Sequence, residues 1–124
     1  MNASLMAYLQ SLASDVPEIS ERLNRYAQQW EPGAAPITLL FSEVGAEIAD
    51  HFNDFPGVVR ERIFAKIEEG VTSSDTVLRT AVATGLIESL VSKANNRAEL
   101  WKQLEEYLGA ESAKHALAWR RFGS

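Results

Sequence analysis

Val77-Leu78-Arg79-Thr80-Ala81-Val82-Ala83-Thr84-Gly85-Leu86-Ile87-Glu88-Ser89-Leu90-Val91 is the stretch that decides the fold. Its apolar residues recur at helical spacing. They go nearly all the way round: Val77, Leu78, Ala81, Val82, Leu86, Ile87, Leu90 and Val91. A helix that is apolar on every side is normally a buried one. A helix over about residues 73–93 is therefore expected at the centre of the molecule, with the rest of the chain packed around it. Thr72 and Asp75, just upstream, have capping-box spacing. Gly85 costs roughly 1 kcal/mol relative to alanine inside a helix. Its expected use is to let a neighbouring helix approach closely.

The helical period continues on both sides. Leu5, Tyr8, Leu9 and Leu12 share a face of a first helix, over about residues 3–13. Asp15 is placed to cap a second helix, and Pro17 to sit in its first turn. Ile19, Leu23, Tyr26 and Trp30 form its core stripe. Pro36 opens a third helix, whose buried face is Ile37, Leu40, Phe41, Val44, Ile48 and Phe52. A fourth runs from Pro56 to Glu69 and stops at Gly70, a residue that ends helices well. Asn96 and Glu99 read as cap and third residue of a sixth, which buries Leu100, Leu104, Tyr107 and Leu108 and ends at Gly109. A last helix over about residues 111–122 presents Ala113, Ala116 and Leu117. Alternating β-branched runs and hairpin dipeptides are missing. The expectation is one all-α domain over residues 1–124, with about seven short helices in an orthogonal or solenoid-like bundle around the central apolar helix.

Composition narrows the class. The chain has 124 residues, 46% hydrophobic and 23% charged, a globular balance. It has no cysteine, which removes disulfides, thiolate metal sites and thiol nucleophiles. No apolar run approaches the ~18 residues of a membrane span. The first residues lack the basic start and apolar core of a signal peptide. These features predict a cytoplasmic protein with no membrane association. The formal charge of −5 argues against nucleic acid as ligand, since that affinity rests on Lys and Arg. The charge is uneven: residues 1–92 hold 13 acids against 6 bases, and residues 93–124 hold 4 against 6.

Templates for chemistry mostly fail. Neither a phosphate-binding loop nor a nucleophile elbow is present. His51 and His115 each follow an acid by four residues, Glu47 and Glu111. Carboxylate-bridged metal bundles use a spacing of three. The sequence therefore predicts no metal, no cofactor and no catalytic residue. Glu88 is the unusual carboxylate, set in the most apolar helix. It is expected to be a buried structural group meeting Arg60, Arg62 or Arg79. The alternative is a general base, because burial raises a carboxyl pKa; the Glu47–His51 pair is the other enzymatic option.

Glu43, Glu47, Asp50 and Asp54 fall within about 60° of one another at helical periodicity. Like charges at these spacings cost a few tenths of a kcal/mol per pair. Two readings offset that cost. Arg60, Arg62 and Lys66 on the next helix neutralise the ridge, or the ridge docks a basic protein by charge complementarity. Trp119 lies off the apolar face of the last helix and is expected to be exposed, a property of binding hot spots. Trp30 is read as packing and Trp101 as a stripe-edge residue.

Three segments carry a resemblance: Ile67-Glu68-Glu69-Gly70, Val82-Ala83-Thr84-Gly85-Leu86-Ile87-Glu88-Ser89-Leu90 and Tyr107-Leu108-Gly109-Ala110-Glu111-Ser112. Together they resemble a family of small uncharacterised bacterial helical proteins, some of which look like immunity proteins of polymorphic or contact-dependent toxin systems. The resemblance implies a cytoplasmic antidote that binds a toxin domain, and a basic toxin such as a nuclease would suit the acidic surface. The expected function is thus toxin neutralisation through Glu43, Glu47, Asp50, Asp54 and Trp119. A helical adaptor or assembly subunit is the alternative.

Overall fold

The computed structural model describes residues 3–123. Helices α1 (Ala3–Asp15), α2 (Pro17–Gln28) and α3 (Ile37–His51) are followed by a single 3-10 turn, Phe52–Asp54. Helix α4 spans Gly57–Val71. Thr76–Thr80, Ala81–Ile87 and Glu88–Ala94 follow without a break and form α5. Helices α6 (Ala98–Tyr107) and α7 (Ala110–Gly123) complete a bundle of seven. Among the described residues there is no strand, and no helix is long and apolar enough to cross a membrane.

The expected central helix is present, but it shares the centre with α3. These two make the most extensive helix–helix contact in the molecule. The contact is close because each helix offers a glycine to the other. A Cβ on Gly85 would lie 2.7 Å from Phe41 Cβ and 2.9 Å from the Thr38 carbonyl oxygen. A Cβ on Gly45 would overlap the Leu86 carbonyl oxygen. Ser89 Oγ donates to the Ser42 carbonyl at 2.7 Å, and Ser42 Oγ donates to the Gly85 carbonyl at 3.4 Å. Around this crossing the core gathers Phe41, Val44, Ile48, Val82, Leu86, Ile87 and Leu90, all at most 1% exposed.

Two details of α5 depart from expectation. Its middle, Ala81–Ile87, is π-helical rather than α-helical. The wider winding includes Gly85 and Leu86, against which α3 packs closely. Val77 is also 53% exposed, so the apolar ring is open at the start of the helix. Asp75 alone caps α5, accepting from the N–H groups of Val77 at 3.1 Å and Leu78 at 3.2 Å. Thr72 instead returns its hydroxyl to the Glu68 carbonyl at 2.8 Å.

Other helix ends also differ. Val16, not Asp15, is the residue before α2, and it provides no side-chain cap. Asp15 is drawn away by Lys66 at 2.6 Å and Arg62 at 3.4 Å, which staple the end of α1 to α4. Arg97, not Asn96, precedes α6, again without a side-chain cap. Gly70 does not stop α4. It is buried in the last turn, where a Cβ would meet Val82 Cγ2 at 2.7 Å and the Tyr8 hydroxyl at 2.9 Å. Burial first, and the Glu69 charge second, raise the pKa of that hydroxyl. It donates to the Lys66 carbonyl at 2.8 Å. On α7 the buried face is Ser112 and Ala116, and Leu117 is 43% exposed.

Candidate functional site

The acidic ridge exists on α3, but it is not a free surface. Arg22 of α2 lies across it. Its Nε is 3.0 Å from Glu43, and its Nη1 is 3.2 Å from Glu47 and 3.4 Å from Asp50. Asp50 also meets Lys93 at 3.5 Å and Arg97 at 3.9 Å. Glu47 is 5% exposed, so it is a buried carboxylate held by a guanidinium. The three bonds to carboxylates keep Arg22 charged. Its burial opposes the charge, but the bonds to Glu43 and Glu47 outweigh it and raise its pKa. Asp54 sits on the 3-10 turn beyond α3, 3.2 Å from His51 Nδ1. The four acids therefore do not form one straight row.

None of Arg60, Arg62 and Lys66 reaches the ridge. Arg60 lies 4.4 Å over the Phe52 ring and donates to the Phe52 carbonyl at 3.0 Å. Arg62 and Lys66 belong to Asp15. The neutralising residue was nonetheless marked in the sequence. Arg22 stands between Ile19 and Leu23, at the position three after Ile19, within the core-facing stripe of α2. A charged residue on such a stripe signals a buried pair, because an isolated charge there is too costly.

Glu88 is half-buried rather than buried, and its partner is His115 Nε2 of α7 at 3.1 Å, not an arginine. Trp119 is not exposed. It is half-buried against the core, and its Nε1 donates to Ser92 Oγ at 3.2 Å. Trp101 is buried at 7% exposure under Arg120, whose guanidinium carbon lies 4.5 Å from the ring. Trp30, read as core, is 39% exposed, because α2 ends at Gln28 and leaves it in the following turn.

A concave acidic surface remains beside the ridge. A cleft of about 390 Å³ opens where α1 meets α2, facing the end of α3 and the start of α4. Val16, Phe55, Pro56 and Val59 give it apolar walls. Glu18, Glu21, Asp54, Asp15 and Glu47 also line it, against Arg25 and His51. Asp15 and Glu47 are already committed to internal cations. Glu18 and Glu21 are exposed and form no ion pair among the described residues. Such a lining suits a cation carried on an apolar stem, as in lysine or arginine. Sequence reasoning missed Glu18 and Glu21, because the cleft joins four segments that only the fold brings together.

A second concavity, of about 540 Å³, lies between α1, the turn after α2 and the start of α3. Leu5, Met6, Ala27, Ala35, Ile37 and Leu40 make it mainly apolar.

One family model matches residues 9–123, and its description is a domain of unknown function, DUF7674. The chain belongs to this family. No curated protein and no solved structure matches it. Membership accounts for nearly the whole helical domain, including the three segments that carried the resemblance. Those segments meet in space: Glu68 receives Glu111 and Ser112, and Gly70 receives Val82. What unites them is the seating of α7 and α5 on α4, a structural role.

Proposed function

We propose that this domain binds a basic protein and acts as an immunity protein, neutralising a toxin domain in the cytoplasm. The observation that carries the reading is the cleft beside α2. It is open, partly apolar and acidic, and Glu18 and Glu21 form no ion pair among the described residues. Complementary charge at such a surface speeds encounter and selects among partners. The three segments resemble a family of small helical proteins, some of which look like immunity proteins, and that likeness is what suggests a toxin as partner. The proposed docking residues are accordingly Glu18 and Glu21, with Asp54 the one ridge acid that stays exposed in the cleft lining.

The test is co-expression with a candidate toxin domain, sought first among the genes that neighbour this one. The wild-type protein is expected to restore growth and to co-purify as a complex. The Glu18→Lys/Glu21→Lys variant is expected to lose both while keeping its helical signal. Full protection by that variant would reject the cleft as the docking site. Toxicity undiminished by the wild type would reject the immunity reading itself.

The apolar concavity favours a second reading, a helical adaptor or assembly subunit. Leu39, at 38% exposure, and Trp30 stand near it in the chain. Sedimentation of the isolated protein over a wide concentration range tests this. Self-association abolished by Leu40→Glu is the expected result, and a concentration-independent monomer speaks against it.

A further inference from the structure

Helix α7 is joined to the rest of the molecule in an unusual way. Its one fully buried apolar side chain is the small Ala116, and Trp119 is half-buried against the core beside it. Polar contacts supply much of the remaining anchorage, and they recur on one face at Ser112, His115 and Trp119. Glu68 of α4 projects its carboxylate at the first turn of α7. Its Oε2 accepts the Glu111 N–H at 3.0 Å, and its Oε1 accepts the Ser112 N–H at 2.9 Å and the Ser112 hydroxyl at 2.8 Å. Gly109 lies so close to this carboxylate that a Cβ there would overlap it. One turn on, His115 meets Glu88 at 3.1 Å, and after another turn Trp119 donates to Ser92 at 3.2 Å.

The first-turn N–H groups of a helix have no partners within it. A carboxylate from another helix satisfies them and also interacts well with the positive end of the helix dipole. The cap of α7 is thus supplied in trans, so capping and docking are one event. When α7 leaves, its own first turn loses its acceptor, and the helix is weakened as it is released. Elements with few buried apolar contacts open at lower free energy than the core.

We propose that α7 is a reversibly docked cover over α4 and α5, latched by Glu68, which opens as a unit while the α3–α5 core stays folded. The latch depends on a formal carboxylate, since hydrogen bonds to a charged acceptor are the strong ones.

Hydrogen exchange of the full chain, read by mass spectrometry at neutral pH, tests this. Peptides covering residues 110–123 are expected to exchange through an opening more frequent than that of α3 and α5. Glu68→Gln keeps the shape and removes the charge. It should raise exchange in α7 on the order of tenfold, as expected for losing charged hydrogen bonds, with α3 and α5 changed far less. Ser112→Ala removes only the hydroxyl donor and should produce a smaller change confined to the same peptides; it serves if Glu68→Gln fails to fold. Protection in α7 equal to that of α3 and α5 would overturn the proposal. So would a variant that alters all helices alike or leaves α7 unchanged.

Discussion

Gly45 and Gly57 are both glycines on helices, yet they should respond oppositely to alanine. At Gly45 a methyl group meets the Leu86 carbonyl oxygen and the Leu90 N–H, which are backbone atoms that cannot swing aside. Gly45→Ala is expected to cost about 1–3 kcal/mol, the range for overpacking, measured by urea unfolding. At Gly57, the first residue of α4, nothing lies within 4 Å of an added Cβ. Gly57→Ala should stabilise by about 0.4–1 kcal/mol, because it restricts the unfolded chain. Equal effects at both sites would show that the α3–α5 crossing is looser than its geometry. Arg22 is the other residue on which much depends. Arg22→Met leaves Glu47 buried beside Glu43 and Asp50 without its main cation. Removing one partner of a buried pair costs about 3–5 kcal/mol; with Arg22 partly exposed, a loss near the lower end is expected, checked by the same unfolding titration.

At the scale of elements, two carboxylates tie α4 to helices far away in sequence. Asp15 is held below its ordinary value of 3.8, first by the hydrogen bond from Lys66. Burial pushes Glu68 up, but the N–H groups of Ser112 and Glu111, the Ser112 hydroxyl and the Lys114 charge more than offset it, leaving its pKa below 4.5. A carboxyl with a depressed folded-state pKa stabilises the fold fully above its unfolded value. That contribution falls as pH drops through the folded value. The attachments of α1 and α7 to α4 should therefore be intact at neutral pH and weaken below about pH 4.5. Thermal unfolding of the wild type is expected to fall steeply on that acid side. Asp15→Asn with Glu68→Gln should start lower at neutral pH and show a shallower acid limb. An unchanged slope would mean that other carboxylates govern acid unfolding. The placing of these ties was not legible in the sequence. Asp15 had the composition and position of a helix cap, but Lys66, 51 residues away, provides the stronger bond.

Across the whole molecule, the distinction is between acids used for folding and acids left for solvent. Reversing Glu43, Glu47 and Asp50 to lysine would press three cations against Arg22. That variant is expected to lose its cooperative thermal transition, so it cannot report on docking. Glu18→Lys/Glu21→Lys alters exposed side chains that form no ion pair among the described residues, and its melting temperature should stay within a few degrees of wild type. Retention of cooperative melting by the triple variant would mean the Arg22 network contributes little. By itself the sequence determined the helices, their number, and the burial of the segment around Val82 to Leu90. The physical reason is that apolar period and backbone breakers act over one or two turns and need no knowledge of neighbours. It also marked Gly85 as a point of close approach. Only the tertiary structure decided which helix Gly85 faces, the π winding there, and the pairing of Arg22 with Glu43, Glu47 and Asp50. It alone decided that Glu88 meets His115, that Trp119 folds inward, and that Glu18 and Glu21 share a cleft. Each of these depends on through-space partners contributed by different helices, and helix packing, not local spacing, chooses which charges and rings meet.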